Sequence, residues 1–530
     1  NILWTEISSY NFDKDHGIFD MKYEKKKQLK FSALDENKEA DTNFLSEKFN
    51  IIIASQRTPS ELKEIKFKEN SANKSMVYGF LGRFNGSFKK GKTYKPNKVA
   101  YNYLMRTLVG SLREIDFKSP GNSDKIDTFY DQLLDSFQLL FNSQNDKNKC
   151  ESLLLGGFGD KFDPYVSLSK HIPNYPILKH LLVDNNSPKK FKNFCDAAKK
   201  NKGLKGISIS CLEIKKDILS PLKDLSSSNK FTSINFLKNS IKDEKILEEY
   251  LSSQTSLNMI GFYNIKCLSK GLKPLFQKLE KLSSLSSLTV RGCNISLDSV
   301  FQCLNSNILP HLMILDVSNN KSDFTKTPSH VPNGLKYIYA NGIEWKGDDF
   351  TKFMKFICTR EWPNGINLSL NKTTLKGESE PINILNESFE KINSYPVFPL
   401  VSLAWDSNSS LLSEKFYEFL TLNKNLSSLS MNECFINNDE STIELATEFA
   451  SNVLPSLNSL STLSISGAPV NYATNSLPEN GNSIKPIIES LHSLPSLKKA
   501  NVSCNNLGDD GIETLKNAIS ESSTINAINI

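Results

Sequence analysis

The amino-acid sequence predicts an α/β solenoid in which a strand–helix unit recurs along the chain. A six-residue pattern, apolar at its first, fourth and sixth positions, begins at Leu285 and recurs 27 residues later at Leu312. Between copies, apolar residues recur at helical spacing, as in residues 350–357 and 484–491. Self-similarity at such a period is typical of stacked repeats that share one continuous core.

The full scan extends this pattern over most of the chain. Copies begin at Cys150, Leu178, Leu204, Phe231, Leu257, Leu285, Leu312, Leu335, Leu400, Leu426, Leu460, Leu497 and Ile525, and a degenerate copy ends at Leu370. Asn or Cys follows the third apolar position by three residues, as at Cys293, Asn320, Cys434 and Asn505, where its side chain can satisfy the backbone of the turn. The pattern is that of a long leucine-rich repeat resembling ribonuclease inhibitor. We therefore expect a horseshoe with parallel strands on its concave face and helices on its convex face.

Three segments follow from the pattern. Residues 112–530 form the repeat array, in which the Gly-, Pro- and Asn-rich stretch 466–483 is expected to be a loop insertion. Residues 57–111 are expected to hold a linker and a first irregular repeat. Residues 1–56 show three alternating stretches and then a helical stretch at 35–55, which predicts the carboxyl-terminal part of a pleckstrin-homology-like domain.

Composition restricts the function classes. The net charge of +6 is small for 530 residues and does not favour a nucleic-acid partner. The nine cysteines include no C-x-x-C pair, and no H-E-x-x-H or G-x-S-x-G motif occurs, so we expect no zinc site, no other metal or cofactor, no catalytic residues and no enzymatic activity. Free cysteines favour a reducing, cytoplasmic setting.

Three stretches resemble the CARMIL family of actin regulators, which link capping protein and myosin I. They are LWTEISSYNFDK near the amino terminus, VYGFLGRFNGS leading to SLREIDF, and the irregular units within 291–354. The resemblance implies a pleckstrin-homology domain, a linker and a ribonuclease-inhibitor-like array. It also implies actin capping protein, myosin I or other cytoskeletal partners, at the cytoskeleton or the inner face of the plasma membrane.

Two departures from the family limit this expectation. The family inhibits capping protein through a disordered basic segment after the array and dimerises through a helical region there. Neither segment is present in this sequence. We therefore expect capping-protein regulation and any homodimer to belong to a longer parent protein. The rival hypothesis is a general leucine-rich-repeat binding module with no actin role.

Two further motifs suggest ligands. Lys25, Lys26 and Lys27 form a basic turn between predicted strands, a candidate contact for anionic membrane lipid or a solvated hairpin tip. Residues Gly86 to Thr93, GSFKKGKT, match the phosphate-loop pattern, with Lys92 as its lysine. Because Arg83-Phe84-Asn85 before the match does not predict a buried strand and Tyr94-Lys95-Pro96 after it does not predict a helix, a surface loop is favoured over a nucleotide site.

The concave face is expected to carry mostly small polar residues, with one different cluster. Positions between the apolar ones place Tyr263, Arg291, Asp316, Tyr337 and Tyr339 on nearby strands. Tyr and Arg are enriched among residues that dominate binding energy. The cluster is therefore a candidate partner site, the alternative being ordinary variation on an exposed sheet.

Overall fold

The computed structural model describes residues 7–13, 18–23, 27–32, 114–118, 151–156, 164–184, 188–210, 213–241, 244–265, 282–304, 309–395, 398–468 and 481–530. The chain divides into two compact units. The first comprises Asn1–Leu140 and Gln144–Gly159, and the second comprises Phe141–Ser143 and Asp160–Ile530.

The first unit contains an antiparallel sheet and a parallel strand pair. Strands β1 (Ile7–Asp13), β2 (Ile18–Tyr23) and β3 (Lys27–Ser32) form the sheet in the order β1-β2-β3. Strands β4 (Glu114–Lys118) and β5 (Ser152–Gly156) pair in parallel. Strands β1, β2 and β3 correspond to the three alternating stretches, and β5 corresponds to the copy of the pattern that begins at Cys150. The helix expected at 35–55 and the first irregular repeat expected within 57–111 lie outside the described residues.

The second unit alternates strands and helices. Its strands are β6 (His180–Asp184), β7 (Gly206–Ser210), β8 (Glu213–Ile214), β9 (Ser233–Leu237), β10 (Ser240–Ile241), β11 (Met259–Tyr263), β12 (Ser287–Arg291), β13 (Ile314–Asp316), β14 (Tyr337–Tyr339), β15 (Glu344–Lys346), β16 (Ile366–Ser369), β17 (Thr374–Lys376), β18 (Leu400–Ala404), β19 (Ser428–Ser430), β20 (Thr462–Ser464), β21 (Lys499–Asn501) and β22 (Ala527–Asn529). Its α-helices are α1 (Pro164–His171), α2 (Pro188–Ala198), α3 (Lys216–Asn229), α4 (Glu244–Ser252), α5 (Leu297–Leu304), α6 (Gly347–Cys358), α7 (Pro381–Ile392), α8 (Glu414–Leu422), α9 (Glu440–Glu448), α10 (Gly481–Ser490) and α11 (Gly508–Glu521).

One parallel sheet runs through this unit, and each repeat adds one strand to it. The order is β6-β7-β9-β11-β12-β13-β14-β16-β18-β19-β20-β21-β22, with β8–β10 and β15–β17 as separate parallel pairs. The register aligns equivalent positions, so Leu288, Leu315 and Ile338 are partners on successive strands. All three are buried, as are the leucines that open each pattern. The chain is thus an α/β leucine-rich-repeat solenoid, as the sequence predicts.

The helices cover the core through one apolar face. In α6 the buried residues Phe350, Phe353, Met354 and Ile357 recur at the three- and four-residue spacing of that face. Strand residues contribute from the other side, because the apolar positions of the pattern point inward on alternate residues. The core therefore lies between the sheet and the helices.

The repeat that begins at Leu312 differs from the expected unit, because its stretch 317–336 contains no helix. The side chain of Phe324 is fully buried and occupies the space that apolar helix residues occupy in other repeats. Its ring lies 5.4 Å from the rings of both Phe301 and Phe353, centroid to centroid, in edge-to-face geometry. A single large side chain from an irregular segment thus replaces a helical face, which explains why this unit is the shortest.

Candidate protein-binding face

The side chains between the apolar strand positions form a second face of the sheet, away from the core. Alternation along each strand and parallel register between strands arrange these side chains in rows. Tyr263 is the register partner of Arg291, and Asp316 is the register partner of Tyr339. The structure therefore brings the candidates of the predicted cluster together on the four adjacent strands β11 to β14.

Two further residues belong to this cluster although sequence reasoning did not select them. Ile314 is the register partner of Tyr337, and Met259 lies in the same row two strands away, where it is 47% exposed. The repeat pattern could have identified them, because both residues occupy its third position, and side chains at that position point to the same face as the cluster. We define the aromatic patch as Met259, Tyr263, Arg291, Ile314, Asp316, Tyr337 and Tyr339.

A glycine makes the conformation of Tyr263 possible. A Cβ placed on Gly261 would lie 2.4 Å from Cε2 of Tyr263 and 2.3 Å from Oδ1 of Asn235. The tyrosine ring therefore lies back along its own strand, over the position where another residue would have a side chain. Any substitution at Gly261 would displace the ring from the patch.

Asp316 and the tyrosines interact electrostatically. The backbone N–H of Ser318 donates to Oδ1 of Asp316 at 2.9 Å, which fixes the orientation of the carboxylate. The pKa of Tyr339 is raised above its usual value by partial burial, and the neighbouring Tyr337 and Asp316 add to the effect. The phenol therefore stays protonated and able to donate a hydrogen bond near neutral pH. Both tyrosines are 37% exposed and available to a partner.

The sheet beyond the patch is different, because its polar side chains bond mainly to one another. Ser369 Oγ donates to Asn341 Oδ1 at 2.7 Å, and Asn371 Nδ2 donates to Asp406 Oδ2 at 3.0 Å. The same kind of bond continues from Asp406 through the following strands, by way of Ser430, Asn432, Ser464, Asn501 and Asn529. We call this the polar ladder. Because its donors and acceptors are already satisfied within the chain, it offers a partner less than the patch does.

The turns that leave the strands use asparagine and cysteine as the sequence pattern predicts. Asn320 Nδ2 donates to the carbonyl of Val317 at 2.8 Å, and its Oδ1 accepts from the backbone N–H of Cys293 at 2.9 Å. The thiol of Cys434 donates to the carbonyl of Trp405 at 3.1 Å. These side chains connect one repeat to the previous one and satisfy buried backbone groups.

The buried cysteines have the wrong electrostatics for a nucleophile. Burial raises the pKa of Cys293 to about 11 and that of Cys358 and Cys434 to about 12, and it also raises the pKa of Cys195. A reactive cysteine needs its thiolate form, which burial disfavours. Cys504 is exposed, but within the described ranges no group of three or more His, Cys, Asp or Glu side chains could hold a metal ion.

The other sequence candidates are only partly described. Lys27 is the first residue of β3 and the register partner of Tyr23, which places the basic turn between β2 and β3. Lys25 and Lys26 lie outside the described residues, as does the phosphate-loop match at 86–93. Among the helices that the structure describes, none combines the length and the hydropathy needed to cross a membrane.

No family model and no curated protein matches the sequence. Many solved structures are similar, and three of them at low identity are the following. An internalin from Listeria monocytogenes is 13% identical at a TM-score of 0.31, with 75% of this chain and 94% of that chain covered. A leucine-rich-repeat protein from Leptospira interrogans is 15% identical at 0.32, with 83% and 100% covered, and a chain of the yeast Rad7–Elc1 complex is 16% identical at 0.36, with 72% and 91% covered.

Proposed function

We propose that this chain is a non-enzymatic scaffold that binds a protein partner through the aromatic patch. The carrying observation is the juxtaposition of exposed Tyr337 and Tyr339 with Tyr263, Arg291 and Asp316 on one sheet face. Tyr supplies a large contact area with few rotatable bonds, and Arg supplies directional hydrogen-bond donors. Both are enriched among the residues that contribute most to the binding energy of interfaces. A leucine-rich-repeat fold presents such a face on a rigid sheet.

The chemistry of the patch describes its partner. Met259, Ile314 and the tyrosine rings offer apolar surface, while Arg291 and Asp316 offer one charge of each sign. A complementary partner would present an apolar or aromatic side chain flanked by a carboxylate and a basic group. The polar ladder beside the patch would form the rim of such an interface.

The test compares two double variants of the sheet face. Tyr337→Ala with Tyr339→Ala removes the central rings, whereas Ser402→Ala with Ser428→Ala changes register partners in the same row of β18 and β19. We expect the partner to bind the unchanged chain and the serine variant with similar affinity. Its affinity for the tyrosine variant should be roughly 30-fold lower. Equal binding by both variants would show that the patch is not the interface.

We further propose that the chain is part of an actin regulator at the cytoskeleton or the inner face of the plasma membrane. The support for this is the sequence resemblance to the CARMIL family, together with the basic turn at Lys25, Lys26 and Lys27 as a lipid contact. In this proposal capping protein and myosin I are the cytoskeletal partners, and the array positions them.

Titration of purified capping protein tests the actin proposal. The natural protein that carries this chain is compared with the chain ending at Ile530. Tight binding by the former and its loss from the latter is the expected result, because the family inhibits capping protein through a segment after the array. Failure of both forms to bind would leave a general repeat-protein binding module. If Tyr337→Ala with Tyr339→Ala also removed the binding of capping protein, the sheet face would instead be its binding site.

A further inference from the structure

Lysines are concentrated in one part of the array. Residues 179–242 contain fourteen lysines and five acidic residues, whereas residues 301–530 contain sixteen basic and twenty-four acidic residues. The modest net charge of the whole chain therefore conceals a strongly basic segment followed by an acidic one. Such asymmetry produces a local field that a single net charge does not reveal.

The fold gathers six of these lysines on one edge, where helices end and strands begin. The backbone N–H of Lys205 donates to the carbonyl of Lys179 at 2.7 Å, so these residues enter neighbouring strands side by side. Nζ of Lys205 donates to the carbonyl of Asn229 at 2.8 Å, next to Lys230. We define the lysine edge as Lys179, Lys199, Lys200, Lys202, Lys205 and Lys230.

Within the described part of the array, two acidic side chains contact one lysine of this edge, Lys199. Asp196 and Asp224 both lie against Lys199, with oxygen–nitrogen distances of 2.9 and 3.6 Å. Nζ of Lys202 donates to a neutral hydroxyl, Oγ of Ser228, at 2.9 Å. Lys200 and Lys230 are exposed to solvent. The charges of Lys200, Lys202 and Lys230 therefore face solvent.

The fold itself does not require lysine at these turns. Lysines do offset the partial negative charge at a helix end, but the equivalent turn after α4 carries Ser253, Gln254 and Thr255. The turn after α7 carries Asn393 and Ser394. Uncharged residues thus close the same turn of the same repeat elsewhere, so the fold does not require a lysine at the turns that follow α2 and α3.

We infer that the lysine edge binds an anionic membrane surface, independently of the proposed protein-binding face. All six cations are lysines, which act as point charges, whereas discrete phosphate or carboxylate recognition favours the bidentate fork of arginine. Ile177 is exposed in the turn just before Lys179, where it can enter the interfacial layer of a bilayer. The lysine ammonium groups would face the anionic headgroups of the membrane, and the exposed isoleucine would face the apolar layer beneath them.

Vesicle co-sedimentation tests this inference. The probes are phosphatidylcholine vesicles and vesicles in which about a third of the lipid is phosphatidylserine, at low and high salt. The edge variant combines Lys200→Gln, Lys202→Gln and Lys230→Asn, because asparagine tolerates the left-handed backbone at residue 230, where φ is 51°. The control combines Lys326→Gln, Lys352→Gln and Lys391→Gln, three exposed lysines elsewhere, so both variants lose the same charge.

We expect salt-sensitive binding of the unchanged chain to phosphatidylserine vesicles only. The edge and control variants are both made in a chain in which Lys25, Lys26 and Lys27 are changed to Gln, so that the proposed lipid contact there does not contribute. Each lysine near such a surface contributes roughly fivefold, so the edge variant should bind roughly 100-fold more weakly, while the control variant loses little. Three results would overturn the inference: no binding by the unchanged chain, equal losses in both variants, or binding of polyglutamate in place of vesicles. The last result would assign the edge to an acidic protein. Because the aromatic patch is intact in both variants, none of these results bears on the proposed partner site.

Discussion

At the residue scale, the same position adopts a left-handed backbone in nine of the repeats that the structure describes. It is the eighth residue of the pattern, in the turn that leaves the strand, and its φ lies between 52° and 65°. The residues there are Lys238, Asn264, Gly292, Asn319, Gly342, Lys372, Ser407, Glu433 and Cys504. Most are not glycine, and a residue with a Cβ is disfavoured in this conformation. The stacking of repeats therefore imposes a local backbone cost that the surrounding hydrogen bonds offset.

Lys372→Gly should stabilise the chain for this reason. At φ 54° glycine avoids the Cβ clash, and we expect the free energy of unfolding to rise by about 1 kcal/mol. Lys372→Ile should lower it, because a branched Cβ fits this region worst. The control, Lys352→Gly within α6, should destabilise by about 1 kcal/mol. Urea unfolding measures all three, and equal stability of the Gly and Ile variants at 372 would contradict the explanation.

At the element scale, two helices begin with side-chain caps of different chemistry. Asp439 Oδ1 accepts from the backbone N–H of Thr442 at 2.8 Å and caps α9, whereas Ser413 Oγ accepts from that of Phe416 at 3.3 Å and caps α8. The hydrogen bonds with Thr442 lower the pKa of Asp439, with a contribution from Ser441. Only the carboxylate cap can titrate.

Asp439→Ala should therefore lower stability in a pH-dependent way. A carboxyl group whose pKa is lower in the folded than in the unfolded chain stabilises the fold above the unfolded pKa, near 4. That contribution is lost as pH falls through the folded pKa. We expect the loss of Tm caused by Asp439→Ala to be full at neutral pH and to shrink in acid. The loss caused by Ser413→Ala should change little over the same range, and parallel behaviour of both variants would contradict the assignment.

The repeat that begins at Leu312 and contains no helix allows a further prediction at this scale. Phe324→Ala would leave a cavity among Phe301, Phe353 and Phe356, and we expect it to lower the free energy of unfolding by about 3–5 kcal/mol. Phe324→Leu should cost less, because it retains most of the volume. Denaturant unfolding followed by tryptophan fluorescence is suitable, since buried Trp345 packs against Phe353 at 4.9 Å between ring centroids. Equal effects of the two variants would show that the site can collapse.

At the scale of the whole molecule, asparagine side chains connect several repeats to their neighbours. Buried Asn408 donates through Nδ2 to the carbonyl of Leu370 at 2.9 Å and accepts through Oδ1 from the backbone N–H of Thr373 at 2.7 Å. The bonded residues are 38 and 35 positions apart in sequence. Because repeats contact mainly their neighbours, such bonds govern how cooperatively the array unfolds.

Asn408→Ala should weaken this coupling. It leaves the buried backbone N–H of Thr373 without its acceptor, whereas the carbonyl of Leu370 keeps the hydrogen bond that Thr373 Oγ1 donates at 2.7 Å. We expect this loss to cost about 1–3 kcal/mol. We also expect a smaller dependence of unfolding free energy on urea, because the repeats on either side would unfold less cooperatively. Asn517→Ala on the exposed face of α11 should change stability by less than about 0.5 kcal/mol. An unchanged urea dependence for Asn408→Ala would contradict the coupling.

Much of the fold could be predicted because its determinants are local and periodic. Every repeat must bury the same strand positions against a helix, so the apolar spacing around Leu285 or Leu312 repeats along the chain and predicts each strand. The unit at Leu312 broke this rule, since the compensating side chain, Phe324, has no periodic signature. Part of the patch was missed for a similar reason: Met259 and Ile314 look like ordinary apolar residues until their face is known.

The sequence by itself determined the repeat, the direction of its strands, the asparagine and cysteine turns, and which side chains face away from the core. Only the tertiary structure decided which of those side chains meet. Tyr263 lies beside Arg291, Asp316 beside Tyr339, and lysines of separate turns along one edge, because parallel register stacks equivalent positions of successive repeats. Burial requires apolar residues at the same positions of every repeat, so the sequence shows a periodic pattern. Contacts between surface positions of different repeats require no such spacing, so the sequence alone does not predict them.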